Sequence, residues 1–143
     1  KEIVLDDSKD VFLDVSADWC GPSVTMFPAL CDLASLLKDE KDVVVAKMDL
    51  DTNELDRFYL AETFVPNIKL FPKGNKEDFV GYPDGQEKDL QGFVQFLEQH
   101  CKVDLKEMRR VRLPDYVEKN DIQPLIRQAQ RCFSHYISQS SVA

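Results

Sequence analysis

No stretch of the 143-residue chain approaches the ~20 consecutive apolar residues that a bilayer span needs. Basic residues are in deficit: 18 Lys and Arg stand against 26 Asp and Glu, a formal charge of -8. That balance repels phosphate and argues against nucleic acid or anionic membrane as the main partner. The two histidines, His100 and His135, lie far along the chain from Cys20 and have no second histidine or cysteine three or four residues on. Zinc-site spacing is therefore missing, and both read as surface residues. Cysteine is sparse as well. Cys20, Cys31, Cys101 and Cys132 are too scattered for a metal site and too few for a small disulfide scaffold. Their number does not fix a compartment. Internal repeats and low-complexity segments are absent, and "KEIVLDDSKD" has no signal-peptide character, so any targeting sequence is expected to have been removed.

What is present describes an ordinary folded protein, 43% hydrophobic with both charge signs. It is long enough for one domain with an appendage and too short for two full-sized domains. "DVFLDVSA" has the continuous apolar character of a strand buried on both faces, with Asp14 in its middle. In "GPSVTMFPALCDLASLLKDE", Val24, Phe27, Leu30, Leu33, Leu36 and Leu37 recur at helical spacing, with Pro28 expected to kink the helix. "DVVVAKMDL" reads as a second buried strand and "NELDRFYLAE" as a short helix capped by Asp51 or Asn53. "NIKLFP" reads as a third strand, paired in a hairpin with "FVGY". Leu90, Phe93, Val94 and Leu97 mark an amphipathic helix from about Glu87 to His100. A right-handed crossover makes the first two strands parallel, and the sum is an α/β sandwich. Beyond Cys101 the texture changes. A charged stretch broken by Pro114 leads to a C-terminal helix with Ile122, Leu125, Ile126, Ala129, Phe133 and Ile137 on one side, capped by Asp121 with Pro124 in its first turn. Its stripe docks on its own domain or on a partner.

The strand that ends in "ADWCGPS" feeds the first helix directly, so Cys20 is placed at a helix N-terminus. Unpaired amide protons and the positive end of the macrodipole both favour a thiolate there, and a thiolate is the attacking species in disulfide exchange. Gly21 and Pro22 hold the tight turn into the helix. Cys31, and Cys132 with it, reads instead as a buried free cysteine.

"DVSADWCGPS" resembles the active-site segment of the thioredoxin superfamily. "KEIVLDDSKDVFLDV", "VVVAKMDLDTNE", "VPNIKLFPKGNK" and "DLQGFVQFLEQH" resemble, more narrowly, a catalytic domain of protein disulfide isomerase. The likeness covers roughly Lys1 to His100, giving a thioredoxin-like domain at 1–102 and a helical extension at 103–143. It implies a thioredoxin-like fold, a central mixed sheet flanked by helices, and a thiol-disulfide oxidoreductase or isomerase acting on protein clients that bear thiols or disulfides. Glutathione or a redox partner protein would supply redox equivalents, with no metal, no organic cofactor and no membrane insertion. The endoplasmic reticulum lumen would be the site of action, with the cytosol as the alternative. The resemblance makes Cys20 the nucleophile and Asp14 a buried carboxylate serving the resolving thiol. It makes Lys47 the lysine that faces this acid and Pro66 a cis-proline that leaves Val65 free to pair with an extended substrate. Trp19 would be a ledge beside the sulfur, or a core residue. A lone acid in an apolar strand needs either that lysine or a raised pKa.

Ser23 departs from the pattern, because it occupies the position of the resolving cysteine and a hydroxyl cannot form a disulfide. Asn67 stands where threonine is common, and Lys88 stands near a mobile arginine of the family. Ser23 is either native, in a monothiol member, or a replacement of cysteine that traps complexes; the second explains why Asp14 and Lys47 persist. A different class of reading is a chaperone or assembly module that binds clients without covalent chemistry. The first strand of the family also has no counterpart before "KEIVLDDSKD". The expectation is a fragment whose "DVVVAKMD" strand lacks an edge neighbour, unless "EIVL" is itself that strand.

Overall fold

β1 (Asp10–Ser16) is buried along all seven residues, as a strand covered on both faces must be. The computed structural model describes residues 2–53, 56, 58–59, 64–101 and 105. After β1 come α1 (Gly21–Leu36), β2 (Val43–Asp49), β3 (Asn67–Phe71), β4 (Val80–Gly81) and α2 (Leu90–His100). The strands form one sheet in the order β2-β1-β3-β4. β2 runs parallel to β1, with Asp14 opposite Lys47, while β3 runs antiparallel to both β1 and β4. This is the mixed sheet and hairpin that the sequence predicts.

Alternation along β1 divides the core in two. Phe12 faces Met26, Leu30 and Leu33 of α1 and Phe93, Phe96 and Leu97 of α2, all buried in one cluster. Its ring meets Phe93 edge-on at 5.3 Å and Phe96 at 6.2 Å. On the other face Val11, Leu13 and Val15 gather with Val4, Met48 and Phe71. Both helices therefore lie on the Phe12 face, which is also the Asp14 face.

Several local expectations change. α1 is helical through Pro28, and its buried residues include Ser23, Met26, Leu30 and Leu33. Val24 and Phe27, expected in that stripe, are 57% and 44% exposed. The stripe passes through Ser23 and Met26, and positions one residue beyond them turn off the sheet-facing side. Cys31 sits one residue past Leu30 and is exposed for the same reason, not buried. α2 starts at Leu90 rather than near Glu87, because the Asp89 carboxylate accepts the Gly92 N–H at 2.7 Å and caps the first turn.

Residues 2–5 form turns and not a strand, although Val4 is buried. β2 is the sheet's edge among the described residues. The short helix expected over 53–62 falls largely outside the described residues, and the C-terminal helix entirely so. No helix of the described residues is long and apolar enough to cross a membrane.

Candidate active site around Cys20

Beyond the end of β1 the chain makes a tight turn, closed by the Cys20 N–H donating to the Ala17 carbonyl at 3.0 Å. Cys20 is the N-cap of α1: its backbone is extended and its carbonyl accepts the Val24 N–H at 3.1 Å. The thiol therefore stands over the first-turn amide protons, which have no intrahelical acceptor. Pro22 occupies that first turn, where its missing N–H removes no helical bond. A Cβ added at Gly21 would meet nothing within 4 Å, so glycine there keeps the surface beside the sulfur low. The thiol donates to the Val65 carbonyl at 3.4 Å, and the Val65–Pro66 peptide bond is cis. Two segments far apart in sequence thus meet at the sulfur, which is held in a residue only 9% exposed.

Trp19, read from sequence as ledge or core, is 69% exposed. Its indole N–H donates to the Asp51 carboxylate at 2.8 Å. Asp51 is itself part of a turn in which Asp49 Oδ1 accepts the N–H groups of Asp51 and Thr52 at 2.9 and 3.0 Å. The ring is held on the surface and does not fill the core.

Beneath the thiol the predicted acid and lysine are neighbours without being partners. Asp14 is 1% exposed, and neither of its oxygens has a hydrogen-bond partner among the described residues. Burial pushes its carboxyl up from 3.8 to about 6, against weaker opposing pulls from the Ser16 hydroxyl and the Lys47 charge. Of the two outcomes expected for a lone buried acid, the structure has the raised pKa. Lys47 does not face it with its ammonium. Its Nζ lies 3.4 Å from Asp18 Oδ1 and 5.0 Å from the centroid of the Phe27 ring. Ser23 is 5% exposed and its hydroxyl also lacks a partner among the described residues. A cavity of about 180 Å³ lies among Ser23, Val24, Phe27, Asp18 and Lys47.

On the other flank a groove of about 680 Å³ runs between Gly21, Pro22 and Thr25 of α1 and the loop of residues 85–88, with Lys88 on its wall. That loop is fixed from behind. The Tyr82 hydroxyl donates to the Glu87 carbonyl at 2.6 Å, and burial, with Asp89 and Glu87 nearby, pushes the phenol up to about 12. Gly92 backs directly onto that pair, where any Cβ would collide with Glu87 O and the Tyr82 hydroxyl. Asn67, next to Pro66, is buried, whereas Phe64, just before Val65, is 60% exposed. Among the described residues no three His, Cys, Asp or Glu side chains come together to hold a metal ion.

Cys20, Gly21, Pro22, Trp19, Val65 and Pro66 are thus brought to one end of the sheet, with Asp14, Ser23 and Lys47 behind them. Sequence reading missed Asp18, Phe27 and Asp51 as parts of the site. Asp18 adjoins the Trp-Cys pair and was open to notice; the other two owe their place to tertiary contacts alone.

The family model for thioredoxin matches residues 1–99. A probable protein disulfide-isomerase A6 from Medicago sativa is 39% identical over 99 residues, 68% of this chain and 26% of that protein. A protein disulfide-isomerase from Aspergillus oryzae is 39% identical over 109 residues, 76% of this chain and 20% of that one. The chain therefore spans about a quarter or less of the length of these relatives. Among solved structures, the zinc-bound form of human ERp44 superposes with a TM-score of 0.56 at 19% identity, covering 68% of this chain and 29% of that one. A thioredoxin from Fasciola hepatica does so with a TM-score of 0.50 at 23% identity, covering 65% of this chain and 82% of that one. At such identities the structural likeness bears on the fold alone. With a family model matched across the whole α/β unit, and a mixed sheet that delivers a cysteine to the start of its first helix, the chain belongs to the thioredoxin family.

Proposed function

We propose that the chain is a thiol-disulfide exchange domain of the disulfide-isomerase kind that works with one sulfur. The observation that carries this reading is the placement of Cys20 at the α1 N-cap, with its thiol on the Val65 carbonyl and no second thiol one turn along. The Cys20 thiolate attacks one sulfur of a client disulfide, forming a Cys20–client bond and expelling the client's other sulfur as a thiolate. No electrons are gained or lost overall. In an internal dithiol a second cysteine would attack the new bond; Ser23 cannot, so the adduct waits for a thiolate of the client or of glutathione. That thiolate takes the client sulfur and leaves Cys20 as a thiolate again. Exchange and isomerisation remain open to this chain, and net oxidation or reduction through an internal disulfide does not.

The remaining residues take positional roles. Val65 and Pro66 shape the floor on which an extended client segment lies, Trp19 forms one wall, and Gly21 and Pro22 keep the approach to the sulfur low. Asp14 is the proton-exchanging group behind the site, with Lys47 acting on its charge. The names of the relatives support protein clients, and the disulfide-isomerase resemblance makes the lumen of the endoplasmic reticulum the proposed place of work.

The test is a covalent one. The chain is incubated at neutral pH with scrambled ribonuclease, quenched with an alkylating reagent and run on a non-reducing gel. A reductant-sensitive adduct is expected, lost in Cys20→Ala, kept in Cys31→Ala and released by added glutathione. Client binding that is identical in the chain and in Cys20→Ala, with no adduct in either, would overturn the reading in favour of a non-covalent binding module.

A further inference from the structure

Asp14 and Lys47 sit directly opposite one another in the parallel β1–β2 ladder. Alternation from Phe12 and Val45, both on the helix-covered face, puts the two side chains on that same face. An ammonium that close to a buried carboxylate ordinarily pairs with it. Here it does not: the Lys47 Nζ is drawn outward to Asp18 at 3.4 Å and rests over the Phe27 ring at 5.0 Å. The Asp14 oxygens are left without a partner among the described residues.

We propose that Asp18 is a positioning residue that holds the Lys47 ammonium at the surface and so keeps the Asp14 carboxyl unpaired. Phe27 serves as the second point of the clamp, which accounts for an aromatic ring left 44% exposed beside the site. The groups facing Asp14 can be named element by element. Its own strand offers the Ser16 hydroxyl and β2 offers Lys47, while β3 presents Ile68 at the matching register. α1 has no charged side chain before Asp32, and α2 carries its charged or titratable side chains, Glu98 and His100, in its last turn. Lys47 is therefore the group able to turn Asp14 into a fixed anion, and where its ammonium rests decides whether the carboxyl still exchanges protons. A fixed anion could neither take a proton from an attacking thiol nor return one to a departing thiolate near neutral pH. The inference deepens the exchange reading above and rests on it for its purpose. Its test does not, because titration of Asp14 needs no client.

The experiment follows the Asp14 side-chain carboxyl carbon by NMR against pH in the full chain, in Asp18→Asn, in Lys47→Met and in the double variant. Asp18 is an exposed side chain, so Asp18→Asn is expected to fold as the parent does. In Asp18→Asn the released ammonium swings to Asp14, and the titration midpoint falls by about one pH unit, the low end of what an adjacent opposite charge brings. Removing the Asp18 charge would by itself push in the same direction, so the double variant decides. In the Lys47→Met background Asp18→Asn should move the midpoint far less than it does with Lys47 present. An equal fall with and without Lys47, or no fall in the single variant, overturns the proposal. A client adduct lost in Cys20→Ala, found together with an unmoved midpoint in Asp18→Asn, would sink this inference and leave the exchange reading standing.

Discussion

Replacing Asp14 by asparagine should make the protein more resistant to urea as pH rises, and the size of the effect follows from burial. The carboxyl is 1% exposed and is pushed from 3.8 up to about 6 in the folded chain. Below the unfolded value both states hold the proton, and Asp14 contributes nothing to pH dependence. Between the two values the unfolded chain has released the proton and the folded chain retains it, so the folded state binds more protons and stability falls as pH climbs. Above about 6 both states are ionised and the loss is constant. At about 1.4 kcal/mol per pH unit, the full loss comes to about 3 kcal/mol. The substituted amide does not titrate, and any cost of burying it is the same at every pH. The stability difference between variant and parent, from urea denaturation followed by circular dichroism at fixed ionic strength, should therefore grow by about 2 kcal/mol between about pH 4 and pH 7 and then level off. A difference that is flat, or that shrinks with pH, would show that the folded state solvates or pairs this carboxylate. The account of the site built on an unpaired acid would then fail.

Two further predictions probe the scaffold. Phe93→Ala removes a ring with no exposure that meets Phe12 edge-on at 5.3 Å and Tyr82 at 5.6 Å. It should cost about 3–5 kcal/mol in urea denaturation, and a loss below about 1 kcal/mol would mean the helices do not pack on the sheet as described. Asp51→Ala frees the indole N–H now held at 2.8 Å. Because Trp19 is the only tryptophan, its fluorescence anisotropy should fall with little change in the urea midpoint, and an unchanged anisotropy would show that something else immobilises the ring.

Much of this was legible in the sequence because the signals are local. A largely apolar strand followed three residues on by Cys-Gly-Pro and a helical pattern marks a thiol at a helix start without tertiary information. The "NIKLFP" and "FVGY" segments announce a hairpin by their turn residues. What escaped depended on angles and distant partners. Val24, Phe27 and Cys31 are apolar by type and fall near the helical stripe, yet each sits one position off the line through Ser23, Met26 and Leu30, and only the pose of α1 on the sheet decides which line is buried. Lys47 lies opposite Asp14 in the ladder, but where its ammonium goes depends on a four-carbon stem choosing between two carboxylates. Spacing along a chain carries no record of that choice.

The choice matters because an unpaired carboxyl in the centre of the sheet is a liability for folding. About 3 kcal/mol is a large share of the 5–15 kcal/mol by which a domain of ordinary stability stays folded. A leucine or valine at position 14 would fill the strand without that cost, and nothing in the hydrogen bonding of β1 calls for an acid there, since both oxygens lack partners among the described residues. Buried groups with strongly displaced proton affinity concentrate where protons are moved. Asp14 lies on the sheet face that carries α1, close in the ladder to a lysine that is engaged elsewhere, and this leaves it titrating near pH 6. In the exchange proposed above Ser23 stands where a resolving thiol would, which leaves Cys20 and the thiols of the client or of glutathione for it to serve. In that exchange the protons it would handle are those of the thiols attacking and leaving at Cys20, so the pH dependence of both adduct formation and adduct release is where this carboxyl should be felt.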